Sequence, residues 1–301
     1  MAEKVKITFL GTADSVPSAK RNHTAILLSY KDENILVDCG EGTQRQFRLA
    51  GLNPCKITKL LITHWHGDHV LGIPGLLQTL AFSGYNKTLY IYGPKGTREY
   101  MNEMFRVFAF SGNISLKVEE ISNGVFFDNG EFFLEAERMQ HGVPCNAYNF
   151  VKKGQIRIDK KKLKKSKIKE GPHLQELKKG KDIVFNGNKY LAKNLVFNEE
   201  GKKISFVLDT GVNDRIAPFA KDADLLVIES SFDAESMTRA KEYNHLTCEQ
   251  GANIAKKAKV SKLVLTHVSQ RYDNNPLKVL KQAKKIFRNS FLASDFNVFE
   301  V

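Results

Sequence analysis

Four residues within six positions carry the first recognisable chemistry: His64, His66, Asp68 and His69 in "LITHWHGDHVLGIPG", residues 61–75. Imidazole nitrogen and carboxylate oxygen are good zinc donors, and a catalytic zinc keeps one position open for water. His64 and His66 are two apart and project the same way from an extended chain, whereas Asp68 and His69 follow the turn at Gly67 and can face a second ion. Four donors in six residues crowd one ion. They suit two ions about 3.5–4 Å apart, the arrangement of two-metal hydrolases, which acidify a shared water and neutralise charge growing on a phosphoryl or carbonyl group. The four cysteines, Cys39, Cys55, Cys145 and Cys248, form no Cys-x-x-Cys pair, so nitrogen and oxygen must hold any metal. Such donors accept manganese as well as zinc.

The elements around this cluster alternate between strand and helix. "KVKITFL", "TAILLSY" and "NILVDCG" read as a meander of strands, "GEGTQRQFRLAGL" as a short helix closed by Gly51, and "KLLIT" as a buried strand ending at His64. From His69 to about Phe82 the spacing of Val70, Ile73, Leu76, Leu77 and Leu80 predicts a helix. The histidine cluster therefore falls in a strand-to-helix turn. Later, "ISFVLDTG" precedes a predicted helix near 213–220, "DLLVIES" follows, and "TCEQGANIAKKAK" precedes "KLVLTHVS". His64, Asp209 and His267 all fall where an apolar strand stops, the position at which open α/β layers place ligands.

At 301 residues and 42% apolar composition the chain can bury a substantial core. No stretch approaches the ~18–20 apolar residues of a membrane span, and "MAEKVKITFLG" lacks the features of a signal peptide, so a cytoplasmic protein with no membrane role is expected. The net charge of +13 is unevenly placed. Between Lys152 and Lys193 fourteen lysines and one arginine face four carboxylates, a net +11, which leaves the rest of the chain at +2. Segment 152–195 thus reads as a basic excursion from a nearly neutral body, too short to stand alone as a domain. Its spaced Leu163, Ile168, Leu174 and Leu177 argue against a purely solvated run.

"FLGTADSVPSAKRN", "VDCGEGTQRQ", the cluster itself, "YGPKG", "HGVPCNAY", "VLDTG", "VIESSF", "HLTCEQ" and "LVLTHVSQRY" follow one another in an order and spacing that resemble the ribonuclease Z family, tRNA 3′-processing endoribonucleases of the metallo-β-lactamase superfamily. The resemblance spans nearly the whole chain. It implies an α/β fold of the αββα sandwich type, one domain over 1–301 with an inserted arm at 152–195. It implies two zinc ions, one held by His64, His66 and His141, the other by Asp68, His69 and His267, with Asp209 between them. From the residues alone, His141 can also be a turn histidine and Asp209 a helix cap.

The activity so implied is removal of the 3′ trailer from precursor tRNA, leaving a 3′-hydroxyl on the tRNA and a 5′-phosphate on the trailer. Asp68 would accept the proton of the attacking water, and His245 in "YNHLT" would protonate the leaving oxygen. Glu229 either orients that imidazole or is a solvent carboxylate at a strand end. The lysine-rich arm, with Gly171 and Pro172, would grip tRNA across a homodimer without reading its sequence. Lys20 and Arg21 in "PSAKRN" would meet phosphate or the CCA end, or form a simple basic turn, and Arg271 would contact phosphate. Two features depart from the family pattern: the arm is poorer in proline and glycine, and two residues rather than one separate Pro17 from Lys20. A hydrolase of another phosphodiester or of a thioester uses the same metal scaffold, but a small substrate gives eleven clustered charges no role.

Overall fold

The computed structural model describes residues 4–110 and 112–301. Its strands are β1 (Lys6–Gly11), β2 (Ala25–Tyr30), β3 (Glu33–Val37), β4 (Lys59–Leu61), β5 (Thr88–Gly93), β6 (Ser115–Glu120), β7 (Gly124–Asp128), β8 (Phe132–Met139), β9 (Cys145–Lys152), β10 (Gln155–Ile158), β11 (Ile183–Phe185), β12 (Asn188–Tyr190), β13 (Val196–Glu199), β14 (Lys202–Val207), β15 (Leu225–Glu229), β16 (Leu263–Thr266), β17 (Ser290–Leu292) and β18 (Val298–Glu300). Two seven-stranded sheets result, ordered β18-β1-β2-β3-β4-β5-β6 and β17-β16-β15-β14-β9-β8-β7.

The alternation of side chains along each strand explains why the sheets stack. Ile26, Leu28 and Tyr30 of β2 and Ile35 and Val37 of β3 point inward, where they meet Phe132 and Leu134 of β8, Phe150 of β9, Phe206 of β14 and Val227 of β15 in one buried cluster. The opposite face of the first sheet offers Leu27, Leu36, Leu60 and Ile91 to the helices at Thr43–Leu49, Ile73–Phe82 and Thr97–Val107. The outer face of the second sheet offers Val207, Ile228 and Leu265 to helices Cys248–Lys257 and Pro276–Ile286. The four layers are those of the expected αββα sandwich.

β1 to β3 form the expected antiparallel meander, but β4 joins β3 in parallel, so its C-terminal end lies beside that of β3. β14, β15 and β16 are likewise parallel neighbours. Their ends, too, open on one edge. The helix expected from His69 to Phe82 is two, Gly67–Val70 and Ile73–Phe82, broken at Leu71–Gly72. At the break Gly72 N donates to the Cys39 carbonyl at 2.9 Å instead of to a carbonyl one turn back, and glycine is required: a Cβ on Gly72 would clash with the Gly40 carbonyl oxygen, and one on Gly40 with that of Asp68. These glycines let the turn after β3 press against the histidine-bearing turn. The helix expected near 213–220 is a single turn, Ile216–Phe219, started beyond a loop that follows β14.

Segment 152–195 is more organised than its composition suggests. β10 and β13 pair to form its base, β11 and β12 a small hairpin, and Ile168, Leu177, Ile183, Ala192 and Leu195 bury a core of their own, packed by Leu163 and Leu174. The spaced apolar residues are that core. Lys152 and Arg157 both bind Glu199 at the base, at 2.7 and 2.8 Å, which ties the segment to the sandwich. Helix Lys160–Lys165 buries none of its residues. Lys160, Lys161, Lys162, Lys164, Lys165, Lys167 and Lys169 make no ion pair among the described residues.

Candidate active site

The donors converge where the parallel strands of both sheets end. Asp38, Asp209 and His267 each follow the end of a strand with φ of 57°, 32° and 56°. Such left-handed backbone costs non-glycine residues of order 1–3 kcal/mol each and persists where surrounding structure enforces it. Here it turns three functional side chains off the sheet axis and into one cleft.

Two donor sets share Asp209: His64, His66 and His141 on one side, Asp68, His69 and His267 on the other. His64 Nε2 and His141 Nε2 lie 3.0 and 3.2 Å from His66 Nδ1, and Asp209 Oδ2 lies 3.7 Å from His64 Nε2. In the second set His69 Nε2 stands 3.3 Å from His267 Nε2 and 3.2 Å from Asp68 Oδ2, while His267 Nε2 stands 3.2 Å from Asp209 Oδ1.

The outer nitrogens show which way the lone pairs face. His141 Nδ1 is 3.2 Å from the Asn244 carbonyl and His69 Nδ1 is 2.7 Å from Asp38 Oδ2, groups that only accept. Ser231 Oγ donates to Glu229 at 2.8 Å and so accepts from His267 Nδ1, also at 2.8 Å. With neutral rings each of these Nε2 atoms turns a lone pair inward. Lone pairs that face one another across about 3.3 Å need a cation between them, and donors about 2.0–2.2 Å from one tetrahedral ion stand about 3.3–3.6 Å apart. Among the described residues, buried Asp209 Oδ1 has no hydrogen-bond partner. The residues therefore fit a pair of divalent ions.

Electrostatics agree. Burial, reinforced by neighbouring His69, holds His64 well below the usual imidazole range, and burial likewise lowers His141, so both are ready as neutral ligands. Burial opposes charge on Asp209 and Asp68, yet the histidines around them outweigh it and keep both carboxylates ionised. In turn Asp209, Asp38 and Asp68 overcome burial to raise His69 well above its ordinary value. This half of the site calls for positive charge.

Beside the donors lies a sixth histidine of different character. His245 Nδ1 is 3.0 Å from both oxygens of Glu229, and its Nε2 is 4.0 Å from Asp209 Oδ2. Burial alone would lower its pKa, but Glu229 and Asp209 push it up to about 10. Glu229 is not a solvent carboxylate: it is wholly buried and accepts from Thr210 N at 2.7 Å as well.

The structure brings His64, His66, Asp68, His69, His141, Asp209 and His267 together with His245. Asp209 caps no helix. Arg21 departs from the expected basic turn: it is 6% exposed, and its Nη1 donates to Thr12 Oγ1 and the Ala293 carbonyl at 2.7 Å, so it braces the opening loop from inside instead of facing solvent. Lys20 is exposed, with Nζ 3.1 Å from the Asp273 carbonyl. Arg271 is exposed over the Phe232 ring at 5.1 Å, within reach of the cleft. Gly171 and Pro172 sit in the basic segment, beside His173. Sequence reasoning passed over two residues, Asp38, which accepts from Thr63 N and Oγ1 at 2.7 Å besides meeting His69, and Ser231. The signal for Asp38 was its place after an apolar strand in "VDCGEGT", the same position as Asp209 in "VLDTG".

A four-layer sandwich with two shared-carboxylate donor sets at the strand ends defines a metal-dependent hydrolase of the metallo-β-lactamase fold. Residues 5–107, from β1 through the histidine turn to the helix Thr97–Val107, match the family model described as Anti-Pycsar protein Apyc1. Over its whole length the chain is similar to Ribonuclease Z of Oceanobacillus iheyensis, 38% identical across 99% of this chain and 100% of that one. Among solved structures it resembles human tRNase Z, short form, with a TM-score of 0.72 and 28% identity over 98% of each chain. It also shares the fold of the Bacillus subtilis protein YhfI, with a TM-score of 0.71 and 22% identity over 99% of this chain and 100% of that one. The chain belongs to the ribonuclease Z family.

Proposed function

We propose that the protein is a zinc-dependent endoribonuclease that removes the 3′ trailer from precursor tRNA. The observation that carries this reading is the conjunction of full-length similarity to Ribonuclease Z with a donor set complete in both halves and an ionisable His245–Glu229 pair beside it. His64, His66 and His141 would hold one ion, Asp68, His69 and His267 the other, and Asp209 both. Two zinc ions there would lower the pKa of a bound water and neutralise charge on the phosphoryl oxygens.

The chain's own residues do the rest. Asp38, Ser231 and the Asn244 carbonyl orient the ligand imidazoles through their outer nitrogens. Asp68, with one oxygen turned to His69 and His267, accepts the proton of the attacking water. His245, held protonated by Glu229, donates to the leaving 3′-oxygen of the tRNA. Arg271 and Lys20 lie on the approach and contact phosphate. The basic segment, with Gly171 and Pro172 at one of its turns, supplies counterion-releasing lysines that grip RNA irrespective of sequence, reaching across a homodimer to serve the partner's site. No described helix is long and apolar enough to cross a membrane, and a precursor-tRNA substrate supports a cytoplasmic enzyme.

The test is end-mapping of the products from a precursor tRNA with a 3′ trailer, for the zinc-loaded protein, a chelator-treated control and His245→Ala. A single metal-dependent cut after the discriminator nucleotide, slowed by about 10²–10⁴ in His245→Ala at full metal content, is expected. No cut by the zinc-loaded protein would sink the substrate assignment, and an unchanged rate in His245→Ala would sink the acid.

A further inference from the structure

A cavity of about 160 Å³ opens directly beside His245, walled by Asp14 and Ser15 of the opening loop, Phe232, Tyr243 and Arg271. Its composition is unlike that of the metal cleft. Phe232 and Tyr243 present rings tilted by only 11° with centroids 6.5 Å apart, and the Arg271 guanidinium lies 5.1 Å over the Phe232 ring. Phe232 is 6% exposed, whereas Tyr243 is 58% exposed, a large aromatic surface left open at the mouth of a catalytic cleft. Rings and a guanidinium plane in one wall are what a nucleobase stacks on. By liquid volume the space equals about five waters, room for one heterocycle.

The walls are fixed in advance. Asp14 N donates to the Val268 carbonyl at 3.3 Å, one residue past the ligand His267, and Val268 N donates to the Thr12 carbonyl at 2.9 Å. Behind them Asp295 accepts from Thr12 Oγ1 at 2.7 Å and from Asn22 N at 2.8 Å, and Arg21 bonds Thr12 from the other side. The opening loop is thereby tied to the strand end that carries His267. Its cavity wall keeps one distance from the reacting centre.

We propose that this cavity is the subsite for the base of the nucleotide whose 3′-oxygen leaves, with Tyr243 as its principal stacking surface. The inference rests on the functional reading above: His245 protonates that oxygen, so the nucleoside bearing it stands against His245, and the space open next to His245 receives its base. Stacking on rings accepts any base, because every base has a π-face. Asp14 and Ser15 supply few polar groups for reading an edge, so the subsite registers the presence of a base more than its identity.

The test compares precursor tRNAs that carry either an ordinary base or an abasic site at the discriminator position, cleaved by the zinc-loaded wild type, Tyr243→Ala and Tyr243→Phe. Tyr243→Ala is expected to lower kcat/KM about tenfold on the intact substrate, the abasic site to lower it about as much in the wild type, and the two together to cost little more than either. Tyr243→Phe, which keeps the ring, is expected to retain wild-type kcat/KM. Exchange among the four bases is expected to change the wild-type rate less than about threefold. Equal losses from Tyr243→Ala on intact and abasic substrates would overturn the subsite, as would no loss on either. Failure of the wild type to cut the intact precursor at all would instead remove the functional reading on which the subsite stands.

Discussion

Under the proposed function, the donor cluster and the lysine-rich segment solve opposite problems with opposite means. In the centre most of the donors are pinned: Asp209 and His267 carry left-handed backbone, as does Asp38 behind them, the outer nitrogens of His69, His267 and His141 are bonded to Asp38, Ser231 and the Asn244 carbonyl, and Gly40 and Gly72 let two turns approach where any side chain would clash. The segment keeps a small core and a pinned base but leaves its charges in water, on a helix that buries nothing. Phosphoryl chemistry needs groups placed to fractions of an ångström before the substrate arrives. Holding a polyanion needs only charge within a Debye length, and flexible lysines adapt to the backbone they meet. One molecule therefore spends its rigidity on a few residues and leaves its affinity to many.

That contrast can be broken at several points. The largest effect is expected at the shared donor: Asp209→Asn should lower turnover by about 10³ or more on precursor tRNA and on a small phosphodiester alike, with zinc content below that of the wild type by elemental analysis. Equal loss on both substrates marks the centre as the seat of chemistry, and a loss confined to tRNA would move Asp209 to substrate binding. Next, Asp38→Ala should weaken zinc binding about 10–100-fold in competition with a chelator, since it frees the outer nitrogen of His69 and leaves Thr63 N without its acceptor. Unaltered zinc affinity would show that His69 needs no such support.

A pH profile sharpens the same side. In the proposed mechanism the acid form of His245 is the active one, and Glu229 is a principal cause of its pKa of about 10. Removing that carboxylate in Glu229→Gln destabilises the imidazolium, lowers the pKa, and should move the alkaline limb of kcat to lower pH by about one unit or more. An unmoved limb would mean that another group limits the rate at high pH. The smallest effects belong to single lysines. Replacing Lys160, Lys161, Lys162 and Lys164 by alanine should raise KM for precursor tRNA and flatten its log–log salt dependence by about 0.7–0.9 for each lysine that neutralises a phosphate. A salt dependence equal to that of the wild type would place the RNA elsewhere.

The same contrast governs what could be read in the sequence. The cluster from His64 to His69 was legible because its chemistry is compressed into one motif at the end of an apolar run, whereas His141, Asp209 and His267 were assigned as ligands only through the family resemblance. The apolar runs "TAILLSY" and "DLLVIES" likewise marked strands, whereas the stacking of two sheets came only with the family resemblance. What escaped was set by tertiary approach. The helix breaks where Gly72 N donates to the Cys39 carbonyl, and Arg21, basic and flanked by polar residues, turns inward because Thr12 and the Ala293 carbonyl await it from the far end of the chain. Ser231 gains its role only when β15 and β16 lie side by side. In the basic segment composition concealed a small fold, since lysines outnumber the spaced leucines and isoleucines that hold it together.

The most direct measurement excises residues 160–193, whose flanks already meet where Asp159 N bonds the Leu195 carbonyl at 2.8 Å. It then assays the zinc-loaded remainder on precursor tRNA and on bis(p-nitrophenyl) phosphate side by side. Division of labour between a rigid centre and a charged grip predicts that kcat/KM on tRNA falls by about 10²-fold or more while turnover of the small diester stays within about twofold of the intact protein. Parallel loss on both substrates, or tRNA cleavage as fast as before, would contradict it.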